Sequence, residues 1–374
     1  MTPTRFLQVE ASPRAARLAH FLGRVDPLAD DFVAQLDGLS RPAQEHAIAA
    51  LFAPSVAGLS AAATRLSESL REVPFWFEPE RANRGGAVVL RGGLISGFVL
   101  GFKSLMLGYC SPAGNKPLAM SGRLQSDVQR RLSETAAFVE AVSSPNGMQW
   151  GGAGLQAAVR VRLIHSRIRQ SLNRSPEWKA EAWGAPINQY DMAGTVLLFS
   201  SIFVEGLGAL GVETSPAEQD GVVHLWRYTG RVMGVDDELL CTTPAECASL
   251  WSLLEQTQAL PDADSKRLAD AMILDGARRG VSPPAAVSIG YAVSRYLIGP
   301  RYADALGFPR SGWELAPRVL RRIVSRLDAV TRRVPTGSAY ALRLGMAYWR
   351  RVVEMTFADQ VVEFSLPQDP ISNG

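Results

Sequence analysis

Histidine is scarce in this 374-residue chain, which has four, and cysteine is scarcer still at three. Cys110, Cys241 and Cys247 form an odd set without metal-type spacing, and no histidine stands near the last two. That speaks against a disulfide framework or a structural zinc site and predicts reduced, buried thiols. Neither sign of charge is in excess: 39 basic against 36 acidic residues leave +3, too little to steer nucleic acid over the whole surface. The N-terminus "MTPTRFLQVE" has no basic start with an apolar run behind it and no twin arginine. A cytoplasmic location is the expectation. In the most membrane-like stretch, residues 87–109, Arg91 and Lys103 leave eleven uncharged residues between them. A spanning helix needs about 20. No transmembrane segment is expected, and the stretch reads as a buried core helix whose Gly92, Gly93, Gly97 and Gly101 allow close packing. Period-two alternation, internal repeats and low-complexity linkers are missing as well, which excludes a sheet protein or a solenoid.

Apolar residues recur instead at helical spacing, between gaps marked by proline and glycine. Helices are predicted at about 43–53, 57–71, 88–108, 122–142, 154–173, 189–210, 218–233, 244–258, 262–279, 283–297, 314–333 and 337–357. The fold class is all-α, one continuous domain with a looser N-terminal arm. Asn188 is a natural N-cap with Asp191 three residues on, and "TTPAEC" opens a helix with Pro244 in its first turn. "VDDELL" (235–240) reads as another capped helix start. "RVLRRIVSRLDAVTRRV" (318–334) is a basic amphipathic helix, expected to lay its apolar stripe on the core and its charges in water.

One helix carries an unusual face. Along "LQAAVRVRLIHSRIRQSL" (155–172), 100° per residue puts Arg169 and Arg162 about 40° and 60° to one side of His165. Val161 and Ile168 fall about 40° and 60° to the other side. An imidazole between an apolar strip and two guanidiniums suits a haem edge, with iron, macrocycle and propionates each provided for. It equally suits a structural histidine or a basic helix touching phosphates. Geometry on the helix alone leaves all three open.

Four segments surround that face: "RLSETAAFV" (131–139), "VRVRLIHSRIR" (159–169), "WGAPINQYDMAGTVLLF" (183–199) and "WRYTGRVMGVDDELL" (226–240). In this order they resemble the latex-clearing-protein, or rubber-oxygenase, family, which also holds the MpaB-type oxygenase of mycophenolic acid biosynthesis. "IGPRYADALGFP" (298–309) is similar to a later family segment. The resemblance implies an all-helical domain with a globin-like core binding haem b. It divides the chain into an N-terminal helical arm packed on the core (1–84), a haem-binding oxygenase-like core (85–310) and C-terminal helices completing the same domain (311–374). It makes His165 the proximal iron ligand, with Arg162 and Arg169 pairing propionates and Val161 and Ile168 against the macrocycle. Arg131 and Thr135 match the distal arginine and threonine, and Thr195 a further threonine near the haem. Glu134 stands where rubber oxygenases carry an iron-capping lysine, so polyisoprene is not the expected substrate. Arg131 and Glu134, three apart, share a helix face and can pair, either as an ordinary surface ion pair or, over the haem, in acid–base steps. The implied function is haem-dependent oxygenation of a hydrophobic, isoprenoid-like or natural-product small molecule by dioxygen, with an electron donor as a further partner. A non-catalytic haem sensor or carrier and a haem-free helical interaction protein are the alternatives.

Overall fold

A computed structural model describes residues 12–120, 128–280 and 282–356. Most helices begin where a small polar side chain or a proline satisfies the free first-turn amides. Ser12 caps α1 (Pro13–His20) by accepting from Ala15, and Asp26 caps α2 (Pro27–Ala34) by accepting from Ala29. These two helices were not anticipated. At 8 residues each they are too short to show a period, and their only local signal is a capping residue followed by proline. α3 (Arg41–Ala50) and α4 (Ala61–Arg71) follow as expected.

The expected helix over 88–108 is two helices. α5 (Pro79–Arg91) ends at a 92° bend, beyond which Gly93–Tyr109 continues as α6 (Gly93–Val99), a π-helical stretch Leu100–Leu105, and α7 (Met106–Tyr109). Then come α8 (Lys116–Met120), α9 (Val128–Ser143), α10 (Ala153–Arg174) and α11 (Ala180–Trp183). The predicted helix 189–210 also divides, at Ser200 (φ −105°, ψ −98°), into α12 (Gln189–Phe199) and α13 (Ser201–Ala209). Together Gln189–Ala209 has the length and hydropathy to cross a membrane, yet 56% of its most apolar window is buried inside the fold.

α14 (Pro216–Val232) starts with a capping box from Ser215 and Glu218, and Asp236 caps a short turn of 3-10 helix over Asp237–Leu239. α15 (Pro244–Thr257) is capped by Thr243, as the "TTPAEC" pattern predicts. α16 (Ala263–Arg278), α17 (Pro284–Ala305, kinked at Gly299–Pro300), α18 (Ala316–Arg333) and α19 (Gly337–Thr356) complete the chain. No strand forms among the described residues.

α5 and α14 cross closely. A Cβ on Gly85 would stand 2.1 Å from the Gly221 carbonyl oxygen, so only two glycines let these backbones meet. α10 lies centrally, packed against α9, α2 and α14. Its Leu155, Ala158, Val159 and Leu163 are fully buried in the same core cluster as Leu22 and Phe32 of the N-terminal region and Phe203 and Leu207 of α13. The described N-terminal helices thus contribute side chains to the core. All three cysteines are free thiols, and burial pushes Cys110 far up.

Candidate functional site

α9 and α10 form an antiparallel pair joined by residues 144–152. Arg131 and His165 each lie roughly twelve residues from that loop, so both stand about 18 Å along their helices from it. The segments that bear the sequence motifs converge here. Phe138 of α9 meets Trp226 of α14 edge-on at 5.9 Å, and Phe199 of α12 stacks on Trp226 at 4.8 Å. The Trp226 indole N–H, like Nδ1 of His165, is buried without a hydrogen-bond partner.

His165 shares a half-buried stripe of α10 with Val161, Ile164 and Ile168, while the rest of the helix face toward the core is sealed. An edge of the residue keeps some accessible surface, but its Nδ1 does not. Burial first, and then the Arg169 guanidinium, pull the imidazole pKa down to about 4 against the opposing pull of Asp26. The ring is therefore neutral at neutral pH, as a metal ligand must be.

The two flanking arginines are already engaged. Arg162 grips Asp26 with Nε to Oδ2 at 2.6 Å and Nη2 to Oδ1 at 2.8 Å, and donates to the Val232 carbonyl at 3.1 Å. Arg169 holds Asp30 at 2.9–3.0 Å and donates to the Ile187 carbonyl at 2.9 Å. Ser166 Oγ donates to the same Asp30 carboxylate at 2.6 Å. Both carboxylates come from the cap and first turn of α2. These two arginines, which the family resemblance assigns to propionates, bind carboxylates of the chain itself here and fix α10 to α2.

Gln189 closes the same corner. Its amide donates to the carbonyls of Val25 and Gly234 at 3.2 and 2.9 Å, and its oxygen accepts from the Asp236 amide at 2.8 Å. Gly234 adopts φ +80°, and a Cβ there would meet Asp26 Oδ2 at 2.3 Å. Around His165, Arg162 and Arg169 only a void of about 10 Å³ remains, room for one water. Asp26, Asp30, Gln189 and Gly234 were not singled out from the sequence. Asp26 and Asp30 stand 136 and 139 residues from their arginine partners, so only the pattern "DPLADD" offered a hint.

On α9, Arg131 Nη2 lies 3.4 Å from the Tyr109 hydroxyl, and Thr135 is half-buried one turn further along. The Arg131–Glu134 pair that the spacing allows is not formed. Glu134 is bonded at 2.8 Å to Arg130, four residues back, because that side chain reaches it along the outer helix face. Thr195 is not beside His165: its hydroxyl donates to the Asp191 carbonyl at 2.9 Å, and it lines a separate cavity of about 70 Å³ with Tyr190, Leu198 and Trp251. No cluster of metal-ligating side chains exists among the described residues.

Residues 90–333 match the family described as ER-bound oxygenase mpaB/B'/rubber oxygenase, catalytic domain. The chain belongs to this oxygenase family. A rubber oxygenase from Streptomyces sp. (strain K30) is 24% identical over 257 residues, 68% of this chain and 62% of that relative's length. A solved latex clearing protein in its closed state superposes with a TM-score of 0.68, covering 98% of this chain and 99% of that one at 19% identity. That likeness shows the fold, which is all-helical in both.

Proposed function

We propose that the protein is a haem b-dependent oxygenase of a hydrophobic small molecule. One observation carries the reading: a neutral, partly accessible imidazole with an unpartnered buried nitrogen, on an apolar stripe of a helix that two buried arginine–aspartate clamps hold in place. As a donor set this fits haem iron, which takes one neutral histidine and apolar contacts for its macrocycle. Neither the arginines nor the space fit the part expected of them: Asp26 and Asp30 engage the guanidiniums, and the void of about 10 Å³ beside the imidazole is far smaller than a haem.

His165 would hold the iron, and Val161 and Ile168 would give the porphyrin apolar contacts. When bound, haem would supply the activation of dioxygen. Arg162 and Arg169 act as positioning residues, because they set the rotation and depth of the helix that bears the imidazole. Arg131 and Thr135 of α9 would present N–H and O–H donors, and Glu134 an ionisable carboxylate. Arg130 Nε bonds one oxygen of that carboxylate, which leaves the other oxygen to exchange a proton. Thr195 we give no role at the metal. The substrate class is apolar, in keeping with the rubber oxygenase among the relatives.

An absorption spectrum of the hemin-loaded protein, oxidised and then reduced under carbon monoxide, tests the proposal. A Soret band that disappears in His165→Ala and survives alanine at His20, His46 and His224 is the expected result. A chain that remains colourless with hemin, or a band indifferent to His165, would refute it. Dioxygen consumption with apolar alkenes separates an oxygenase from a carrier.

A further inference from the structure

α18 presents an apolar stripe to solvent. Val319, Ile323, Leu327, Val330 and Val334 are each about half exposed or more, Leu327 at 64%, and Leu315 continues the stripe at its start. Among the described residues the helix rests on the protein through its other side, where Pro317 and Val324 are buried. At 100° per residue the exposed aliphatics span about 80° of arc. Arg326, Arg333, Arg322 and Arg318 occupy the adjoining arc, about 20° to 100° beyond Val319. All four are exposed, and none has a hydrogen-bond or ion-pair partner among the described residues. The acid of this helix, Asp328, points the opposite way, toward Arg332 and the Glu213 amide.

Half aliphatic and half guanidinium, this outer face matches the boundary between acyl chains and anionic headgroups. A second copy of the chain fits poorly, since a two-fold contact would bring one arginine row against the other. Nucleic acid would leave the aliphatic half in water. We propose that α18 lies in the surface of an anionic lipid membrane, aliphatic side down, with the four arginines on lipid phosphates. The inner edge of the helix, through Arg321, Ser325 and Arg332, forms one wall of a cleft of about 840 Å³. Anchoring by α18 therefore also sets that cleft close to the lipid, where water-insoluble compounds collect.

Co-sedimentation of the full chain with phosphatidylcholine vesicles, with and without phosphatidylglycerol, tests this. Binding should be roughly ten-fold or more stronger with the anionic lipid and fall with salt. Two surface variants, R318E/R322E/R326E and I323S/L327S, should each lose most of it while keeping the helical circular dichroism of the parent. Loss in the charge variant alone would assign the arginines to an anionic partner without insertion and overturn the proposal. So would absence of vesicle binding, with or without a dimer in size-exclusion chromatography that I323S/L327S converts to monomer. None of these readouts depends on haem or on turnover.

Discussion

Asp26 does two things at once: its Oδ1 caps α2 and both its oxygens hold Arg162, with 8% and 5% of the two side chains exposed. Asparagine at this position keeps the cap and removes the charge. Asp26→Asn should then leave a buried guanidinium without a counter-ion and cost about 3 kcal/mol in urea unfolding. Adding Arg162→Met should recover part of that loss, and a single variant as stable as the parent would show that the clamp contributes nothing. His224 offers a second test. It is 2% exposed, stacks on Phe77 and accepts from the Glu78 amide at 2.9 Å, and burial, helped by Arg81, takes its pKa from 6.5 to about 4. Between those pH values the unfolded chain binds a proton that the folded chain refuses. Stability is therefore full above pH 6.5 and falls as pH drops toward 4, by on the order of 3 kcal/mol. Melting curves of His224→Gln should lose less over that interval.

At the scale of elements, the α5–α14 crossing depends on bare backbone. Gly85→Val would drive a side chain into the Gly221 carbonyl, and we expect a loss of about 3 kcal/mol by chemical denaturation. What was legible in the sequence and what was not divide along physical lines. Helices of 14 residues or more carry several turns of apolar periodicity, so α9, α10, α14, α15 and α16 fall close to where the pattern puts them. The bend before Gly93 and the break at Ser200 interrupt no periodicity, since both flanking pieces are apolar and buried by neighbours unknown to the local sequence. The amphipathic pattern of α18 was readable. The side it turns outward was not, because charge and hydropathy specify two faces but not which one the core takes.

For the molecule as a whole, spacing made the mixed face of α10 legible, and only the family resemblance gave His165 and its flanking residues a role. The partners of the two arginines could not be read, because a carboxylate more than 130 residues away leaves no trace beside them. Removal of the chain through Asp37, which also pairs with Arg167, should strip three acids from α10 at once. We expect such a truncated protein to lose cooperative thermal unfolding, and retention of a sharp transition would show that α1 and α2 are dispensable.

Those acids lie ahead of residue 90, where the match to the oxygenase family begins. A chimera that transplanted only 90–333 into a relative would carry the keys of two locks without the doors they fit. Successful grafts should thus be those that bring the first forty or so residues of the same parent with them.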